Sequence, residues 1–196
     1  NGTDFTVGMI PEGRFCGGSE KSLQGIVFNP NIPSEECFIS PKRGEAEGIV
    51  YATKPLSYQG QLIDKFWIKF HEGKAVEWNA EVNNELLTKL ITMDEGSAYL
   101  GECALVPYDS PIRQSGILFY NTLFDENAAC HIAFGAGYPT NIKGGSAMTR
   151  AQLMEKGLND SAIHEDVMIG APDTHITGTT KDGQEVTIFV NGEWAF

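Results

Sequence analysis

KFWIKFHEGK, residues 65–74, carries the strongest structural signal in the sequence. Phe66, Ile68 and Phe70 alternate with two lysines and a tryptophan, which is the two-residue period of a strand with one buried face. The segment His71–Lys74 then supplies turn residues ahead of a second run. The sequence therefore predicts a β-hairpin here, and a sheet in which neighbouring strands run antiparallel.

Two helices are predicted further along the chain. Within residues 80–93 the apolar positions recur at helical spacing, and Glu85 and Lys89 lie four residues apart on the opposite face. A shorter helix is predicted over residues 149–156, ending at Gly157, a residue suited to a helix C-terminus. The apolar positions of the first helix are Val82, Leu86, Leu87, Leu90 and Ile91.

Strands account for most of the remaining pattern. A second hairpin is predicted around the turn 181–184, because Val186, Ile188 and Val190 alternate after it. No composition break marks a linker, so we expect one domain of the α+β class, with a mixed, mainly antiparallel, barrel-like sheet and a few helices. Further strands are predicted from short β-branched or aromatic runs at residues 25–28, 37–39, 48–53 and 162–169.

The chain is strongly acidic, with 26 acidic and 14 basic residues and a formal net charge of -12. Such a field repels phosphate backbones and anionic membrane surfaces, so we expect neither nucleic acid nor a membrane as a partner. The same field attracts cations, including metal ions and the protonated amine of a peptide, although an acidic balance commonly serves solubility alone.

The cysteines predict a reducing compartment. Cys16, Cys37, Cys103 and Cys130 lie far apart and form no C-x-x-C pair, so neither a structural zinc site nor a disulfide framework is expected. No run approaches about 18 apolar residues, and no charged and apolar leader opens the chain. We therefore expect a cytoplasmic protein, and the opening at Asn1 rather than at a methionine predicts a fragment or a processed product.

A histidine and an aspartate two residues apart form the first candidate site. His164-Glu165-Asp166 lies in an apolar run whose pattern predicts a strand, so His164 and Asp166 would share one face, with Glu165 on the other. An imidazole and a carboxylate there could bind one metal ion, although such a pair more often only hydrogen-bonds on a strand face. The chain contains no nucleophile elbow, phosphate loop, EF-hand or H-E-x-x-H motif.

Three further segments place an ionisable residue among small or apolar neighbours, where a charge is costly unless it is paired. Glu102 precedes the apolar residues 104–106 and is the most informative, since a buried carboxylate needs a cation, an ion-pair partner or a capping role. The cysteines beside these residues are expected to pack behind the site, because neighbours on a strand face opposite ways. The other two segments contain Glu35, Glu36 and His131, whereas His71 and His175 are predicted to be solvated surface groups.

Several long stretches are specific enough to indicate a family. They are NPNIPSEE (29–36), ATKPL (52–56), LVPYDSPI (105–112), SGILFYNTLFDENA (115–128), YPTNI (138–142), and NDS (159–161) leading to the His164 segment. Over essentially its whole length the chain resembles the aminopeptidase T and aminopeptidase S family of metallo-aminopeptidases.

The resemblance implies a dinuclear metal centre in which an activated water hydrolyses the N-terminal residue from a peptide. Tyr138 is implied as an active-site residue that could stabilise an oxyanion, and Glu35 is our candidate for moving a proton to the leaving amine. Glu102 or Asp166 is expected to bridge the two divalent ions, which could be zinc, cobalt, manganese or magnesium. The implied metal ligands are Glu36, Glu102, His131, His164 and Asp166.

Members of the resembled family are longer than this chain. We therefore interpret residues 1–196 as a single catalytic domain, the C-terminal portion of an aminopeptidase whose N-terminal domain is absent. The implied partners are peptides with a free N-terminus and, for the full-length protein, a second copy in a homodimer. The isolated chain is expected to have reduced activity, because an opened site admits water that weakens its charge interactions.

Two alternative functions stay open at this stage. The chain could be a metal-binding assembly module that is inactive without its N-terminal domain. It could also be a metal hydrolase that acts on another amide, in which case a blocked N-terminus would not prevent cleavage.

Overall fold

The computed structural model describes all 196 residues, Asn1–Phe196, and contains fourteen strands and four α-helices. The strands are β1 (Asp4–Met9), β2 (Glu20–Lys21), β3 (Val27–Phe28), β4 (Cys37–Ile39), β5 (Pro41–Tyr51), β6 (Leu56–Tyr58), β7 (Gln61–His71), β8 (Lys74–Val82), β9 (Leu100–Leu105), β10 (His131–Gly135), β11 (His164–Met168), β12 (Ile176–Thr179), β13 (Glu185–Val190) and β14 (Glu193–Trp194). The helices are α1 (Asn84–Ile91), α2 (Pro111–Gln114), α3 (Thr122–Asp125) and α4 (Arg150–Glu155).

All strand pairs are antiparallel and they form four sheets. The largest has the order β1-β5-β7-β6, with β8 also paired to β7, and the second has the order β11-β10-β9-β4. Two small sheets, β12-β13-β14 and β2-β3, complete the set. The predicted α+β class with antiparallel sheets is confirmed. The barrel-like element of that prediction is not confirmed, because no sheet closes on itself.

The predicted hairpin is β7-β8, joined by the two residues Glu72 and Gly73. Both have positive φ, 48° and 78°, as a tight turn that follows the right-handed strand twist requires. Phe66, Ile68 and Phe70 are all buried, so the alternation in the sequence did identify the core face of β7.

The first predicted helix is present but begins later than expected. Residues 80–82 continue β8, where Ala80 pairs with Phe66, and Val82 is exposed rather than part of the apolar helix face. Asn83, with a φ of 59°, then reverses the chain, and the side chain of Asn84 accepts a hydrogen bond from the Ala80 N–H at 2.9 Å. Strand pairing with β7 therefore outweighs the helical pattern at these three residues. The other four apolar positions are buried as predicted: Leu86, Leu87, Leu90 and Ile91.

The second predicted helix and the C-terminal hairpin are confirmed. Helix α4 begins after Thr149, which forms a capping box with Gln152, and is followed by Gly157 at a φ of 95°. The hairpin pairs β12 with β13 around a turn at residues 180–184.

One main core joins the two large sheets and α1. It contains nineteen buried residues, which come from the five-stranded sheet, from α1, from β9, β10 and β11, and from Ala98 just before β9. Phe70 of β7 stacks on Phe134 of β10 with ring centroids 5.7 Å apart. The four-stranded sheet therefore has one face fixed against a rigid core, which leaves its other face to hold a site. No helix in the structure has the length and apolarity needed to cross a bilayer.

Candidate metal centre

The two faces of the four-stranded sheet differ sharply in chemistry. Ile132 and Phe134 of β10 and Val167 of β11 point into the main core. Residues that alternate with them, His131 on β10 and Asp166 on β11, therefore point to the opposite face. The predicted strand around His164 is confirmed, and His164 and Asp166 share one face, with the Nε2 and Oδ1 atoms 3.5 Å apart.

Strand register brings the carboxylates of two different strands into one row. Ala133 pairs with Asp166 on one side and with Glu102 on the other. Because the alanine between them is small, both longer side chains have space above it. A register shift follows, so that Phe134 pairs with Leu100 and both enter the core, while Glu102 faces the site.

Glycine is required at the centre of this bulge. A Cβ at Gly101 would lie 2.2 Å from the carbonyl oxygen of Ala136, which no side chain could tolerate. The glycine therefore allows Leu100 to face the core and Glu102 to face the site, although residues two apart on a regular strand share one face.

The ligating atoms form two overlapping groups. Glu36, Glu102 and His131 make the first, and Glu102, His164 and Asp166 make the second, each with its atoms within 4.8 Å of one another. In the first group His131 Nε2 lies 3.1 Å from Glu36 Oε2 and 4.0 Å from Glu102 Oε1. In the second His164 Nε2 lies 3.0 Å from Glu102 Oε2. Glu102 is common to both groups, one oxygen facing each imidazole.

Both histidines are held in the tautomer that a metal ligand needs. His164 Nδ1 lies 2.7 Å from the carbonyl oxygen of Ala136, and His131 Nδ1 lies 3.1 Å from that of Ala129. A carbonyl can only accept, so each Nδ1 carries a proton and donates it, and each Nε2 atom points into the cluster, where it can bind a metal ion once it has lost its own proton.

Two buried atoms of the cluster have no hydrogen-bond partner. They are Glu36 Oε2 and His131 Nε2, which are 3.1 Å apart without the angles of a hydrogen bond. Orphaned buried acceptors are rare in folded proteins. A carboxylate oxygen and a deprotonated imidazole nitrogen are both metal ligands, so a cation between these two atoms would satisfy both, and these residues therefore fit a metal ion.

The electrostatics of the cluster point the same way. No lysine or arginine forms an ion pair with its carboxylates; their only basic partners are the two imidazoles. Burial raises the pKa of Glu102. Burial alone would lower the histidine pKa values, but the neighbouring carboxylates raise them to about 10 for His131 and about 11 for His164. Without a metal, protons supply the positive charge that the cluster requires.

Asp166 differs from Glu102 and Glu126 in that its pKa is lowered rather than raised. Burial would raise its pKa, but the hydrogen bond with His164 and the charges of both imidazoles outweigh that effect and lower the pKa. Its Oδ1 lies 3.9 Å from His131 Nε2 and 3.5 Å from His164 Nε2, between the two rings.

Tyr138 lies at the open side of the cluster. Its hydroxyl is 3.2 Å from His164 Nε2, and its ring meets the His164 ring edge-on at 4.8 Å between centroids. Burial and the charge of Glu102 raise the pKa of Tyr138, so its hydroxyl keeps its proton and can donate a hydrogen bond.

Glu126 is a site residue that the sequence reasoning missed. It lies in the turn after α3, is 6% exposed, and is close enough to Asp166 for each carboxyl to shift the pKa of the other. Burial and the charge of Asp166 raise its pKa to about 9. A signal was available, because Glu126 precedes the small residues Ala128 and Ala129 just as Glu102 precedes its own apolar run.

Glu35 is not brought into the cluster. It is exposed, and its backbone N–H donates to Asn127 Oδ1 at 2.6 Å, whereas the next residue, Glu36, points to His131. Of the predicted ligands, all five therefore converge, and the predicted proton carrier does not. His71 and His175 are exposed, as expected for surface groups.

The cysteines are free thiols and none lies among the ligating groups. Burial raises the pKa of Cys103 to about 12 and that of Cys130 to about 11, which keeps both thiols protonated.

Known proteins resemble this chain over its full length. A family described as thermophilic metalloprotease (M29) matches residues 1–194. Aminopeptidase 2 of Geobacillus stearothermophilus is 48% identical over 195 residues, covering 100% of this chain and 47% of that protein. Aminopeptidase AmpS of Bacillus subtilis (strain 168) is 49% identical over 195 residues, covering 100% and 48%. The solved structure of wild-type AmpT from Thermus thermophilus matches with a TM-score of 0.93 and 41% identity, covering 100% of this chain and 48% of that chain.

The chain spans about half the length of the curated relatives it matches. The family match leaves out only the last two residues, and the resemblance inferred from the sequence motifs is confirmed. On this basis the chain belongs to the M29 family of metalloproteases.

Proposed function

We propose that this chain carries the catalytic centre of a metal-dependent aminopeptidase with two divalent ions. The observation that carries the proposal is the pair of ligating groups that share Glu102. A carboxylate with one oxygen toward each group is suited to bridging two cations, which need an anion between them to offset their repulsion.

The proposed ligands divide between two ions. Glu36 and His131 would hold the first, His164 and Asp166 the second, with Glu102 shared. Mixed oxygen and nitrogen donors suit zinc, cobalt or manganese, and magnesium less well because it prefers oxygen. Bound there, the ions would polarise the scissile carbonyl and lower the pKa of water toward ~7.

Glu126 is our proposed proton carrier in place of Glu35. Its carboxyl is buried beside Asp166, and burial and neighbouring carboxylates raise its pKa. Bound cations would offset the negative charge of those carboxylates and would lower the pKa of Glu126 again. It could accept a proton from the attacking water and return it to the leaving amine nitrogen. Glu35 is exposed outside the cluster and has no comparable position.

Tyr138 is proposed to stabilise the oxyanion of the tetrahedral intermediate. The hydroxyl carries a proton, lies next to a proposed ligand, and is part of a residue that is 38% exposed, so substrate can reach it. The proposed substrates are peptides with a free N-terminus, whose ammonium group would be attracted by the acidic chain.

The activity of the whole protein is part of the same proposal. Because the relatives are about twice as long, we propose that residues 1–196 act as one catalytic domain of a longer, homodimeric enzyme. Four free cysteines favour a cytoplasmic location.

Release of the N-terminal residue from a short peptide tests this function. We expect zinc- or cobalt-dependent release that ethylenediaminetetraacetic acid (EDTA) abolishes and that an N-acetylated peptide does not support. Glu102→Gln should lower turnover by about 10³-fold or more, because the bridging charge is lost. Glu81→Gln, on the exposed face of β8, is the matched control and should leave turnover unchanged.

Three results would separate the alternatives. Equal cleavage of the acetylated peptide would indicate a hydrolase for other amides. Two bound metal ions per chain without turnover would favour a metal-binding assembly module. Normal turnover in Glu102→Gln would contradict the proposed centre itself.

A further inference from the structure

A buried polar pair ties the backbone of Tyr138 to the strand next to it. The Tyr138 N–H donates to Ser40 Oγ at 2.8 Å, and Ser40 Oγ donates to Asn141 Oδ1 at 2.9 Å. Ser40 is 1% exposed and Asn141 is 0% exposed. Ser40 lies between β4 and β5, so this relay anchors the tyrosine segment to the sheet that carries the site.

The side chain of Asn141 uses all of its hydrogen-bonding groups. Its Oδ1 also accepts from the Ser40 N–H at 3.0 Å, and its Nδ2 donates to the carbonyls of Arg14 at 3.1 Å and Phe38 at 3.2 Å. Its own backbone N–H donates to the Tyr138 carbonyl at 3.1 Å. A fully satisfied buried network has one low-energy arrangement, so it fixes the backbone on both sides of Tyr138.

Tyr138 has few other restraints. Its side chain is partly exposed, and its ring packs edge-on against Phe38 at 5.2 Å. Its hydroxyl contact is with His164 Nε2, the atom that would bind a metal ion. An imidazole nitrogen has one lone pair, so that contact is lost whenever His164 acts as a ligand. Edge-on packing against the Phe38 and His164 rings, together with the backbone anchor, is then what holds the tyrosine in place.

We infer that Ser40 and Asn141 are positioning residues that aim the Tyr138 hydroxyl at the reacting carbonyl. The inference rests on the proposed function, since it assigns their role through Tyr138. They do not touch the cluster, and their effect is to hold one donor within the narrow range of positions in which an oxyanion is stabilised.

A double-substitution cycle tests this role. Ser40→Ala in the zinc-loaded protein should lower kcat by about 10-fold to 100-fold with little change in KM, as expected for a donor displaced by about 1 Å. In a Tyr138→Phe background the same substitution should have almost no further effect on kcat. Ser40→Thr, which keeps the hydroxyl, should recover much of the loss, and Asn141→Ala should behave like Ser40→Ala.

Ser97→Ala is the matched control. Ser97 is 0% exposed and its hydroxyl donates to the Ile91 carbonyl, so the substitution removes a buried hydroxyl that has no hydrogen bond to Ser40, Tyr138 or Asn141. It should lower thermal stability and leave kcat unchanged. Multiplicative effects of Ser40→Ala and Tyr138→Phe on kcat would overturn the inference.

A readout without turnover separates this inference from the proposed function. In a tyrosine ring-labelled, zinc-loaded sample, the Tyr138 signal is identified by its disappearance in Tyr138→Phe. We expect Ser40→Ala to shift or broaden that signal, and bound zinc to stay at the wild-type amount. An unchanged Tyr138 signal in Ser40→Ala refutes the positioning role even if kcat falls. A wild-type protein that binds zinc without hydrolysing any peptide refutes the proposed function instead. In that case the Tyr138 signal still decides whether Ser40 positions the tyrosine.

Discussion

Two regions of this protein are rich in glutamate, and the carboxylates are exposed to water in one region and buried in the other. On the outer face of β7-β8, Lys65 pairs with Glu81 at 2.9 Å and Lys69 pairs with Glu77 at 3.2 Å. The four side chains are between 49% and 66% exposed. In the site, Glu36 and Glu102 are turned away from water and contact imidazoles instead. Water and lysine neutralise the first set, whereas the second set is shielded from water and has only imidazoles as basic partners.

The main core is what makes the buried arrangement tolerable. It lies directly behind β10 and β11, so the strands that carry His131 and Asp166 cannot relax apart to relieve repulsion between carboxylates. The hairpin face has no such requirement, because its side chains can reorient in solvent.

Phe134→Ala should have the largest effect, because it removes the support behind the site. Phe134 is 0% exposed and stacks on Phe70, so its loss should lower the free energy of unfolding by about 3–5 kcal/mol. Urea unfolding followed by circular dichroism measures it. Phe28→Ala, at a phenylalanine that is 44% exposed, is the control and should cost about 1 kcal/mol. Equal costs would mean that Phe134 is not part of a shared core.

Metal loading should have the second-largest effect on stability. Zinc at a free concentration one hundred times its Kd should raise the free energy of unfolding by about 2.7 kcal/mol for each ion bound, since the ions bind the folded chain. Thermal unfolding with zinc and with EDTA measures the difference. Glu102→Gln should abolish most of this gain while Glu81→Gln keeps it, and an equal gain in both variants would place the metal elsewhere.

The metal-free protein should also lose stability as pH rises. His131 and His164 have folded pKa values raised to about 10 and about 11 from 6.5, so their contribution is fully present below pH 6.5 and is lost as pH passes through those values. Glu126, with a pKa raised from 4.5 to about 9, acts in the same direction. Unfolding in EDTA at pH 6.5 and pH 9.5 measures the loss. A stability that rises over this range would contradict the charge balance inferred for the cluster.

Much of the difference between the hairpin face and the site was predictable from the sequence. The part that was not predictable has a physical cause. The alternation in β7 and in the His164 segment identified which residues face the core and which face the site. The late start of α1 was not predictable, because pairing of Ala80 with Phe66 depends on a partner strand. Glu126 was missed although small residues follow it, and Glu35 was chosen instead, because the side-chain direction in a turn, unlike that in a strand, has no period to read.

The exposed pairs of the hairpin should have the smallest effect. A double-mutant cycle of Lys69→Ala and Glu77→Ala should give a coupling of about 0.2–1 kcal/mol at low salt, because the charges are hydrated and both long side chains lose freedom when they pair. At 1 M salt, where the screening length is about 3 Å, the coupling should fall toward zero. Chemical unfolding of the four variants measures it. A coupling of several kcal/mol that resisted salt would mean that lysine and glutamate on this open face behave like the buried groups of the site, and that burial is not what separates the two regions.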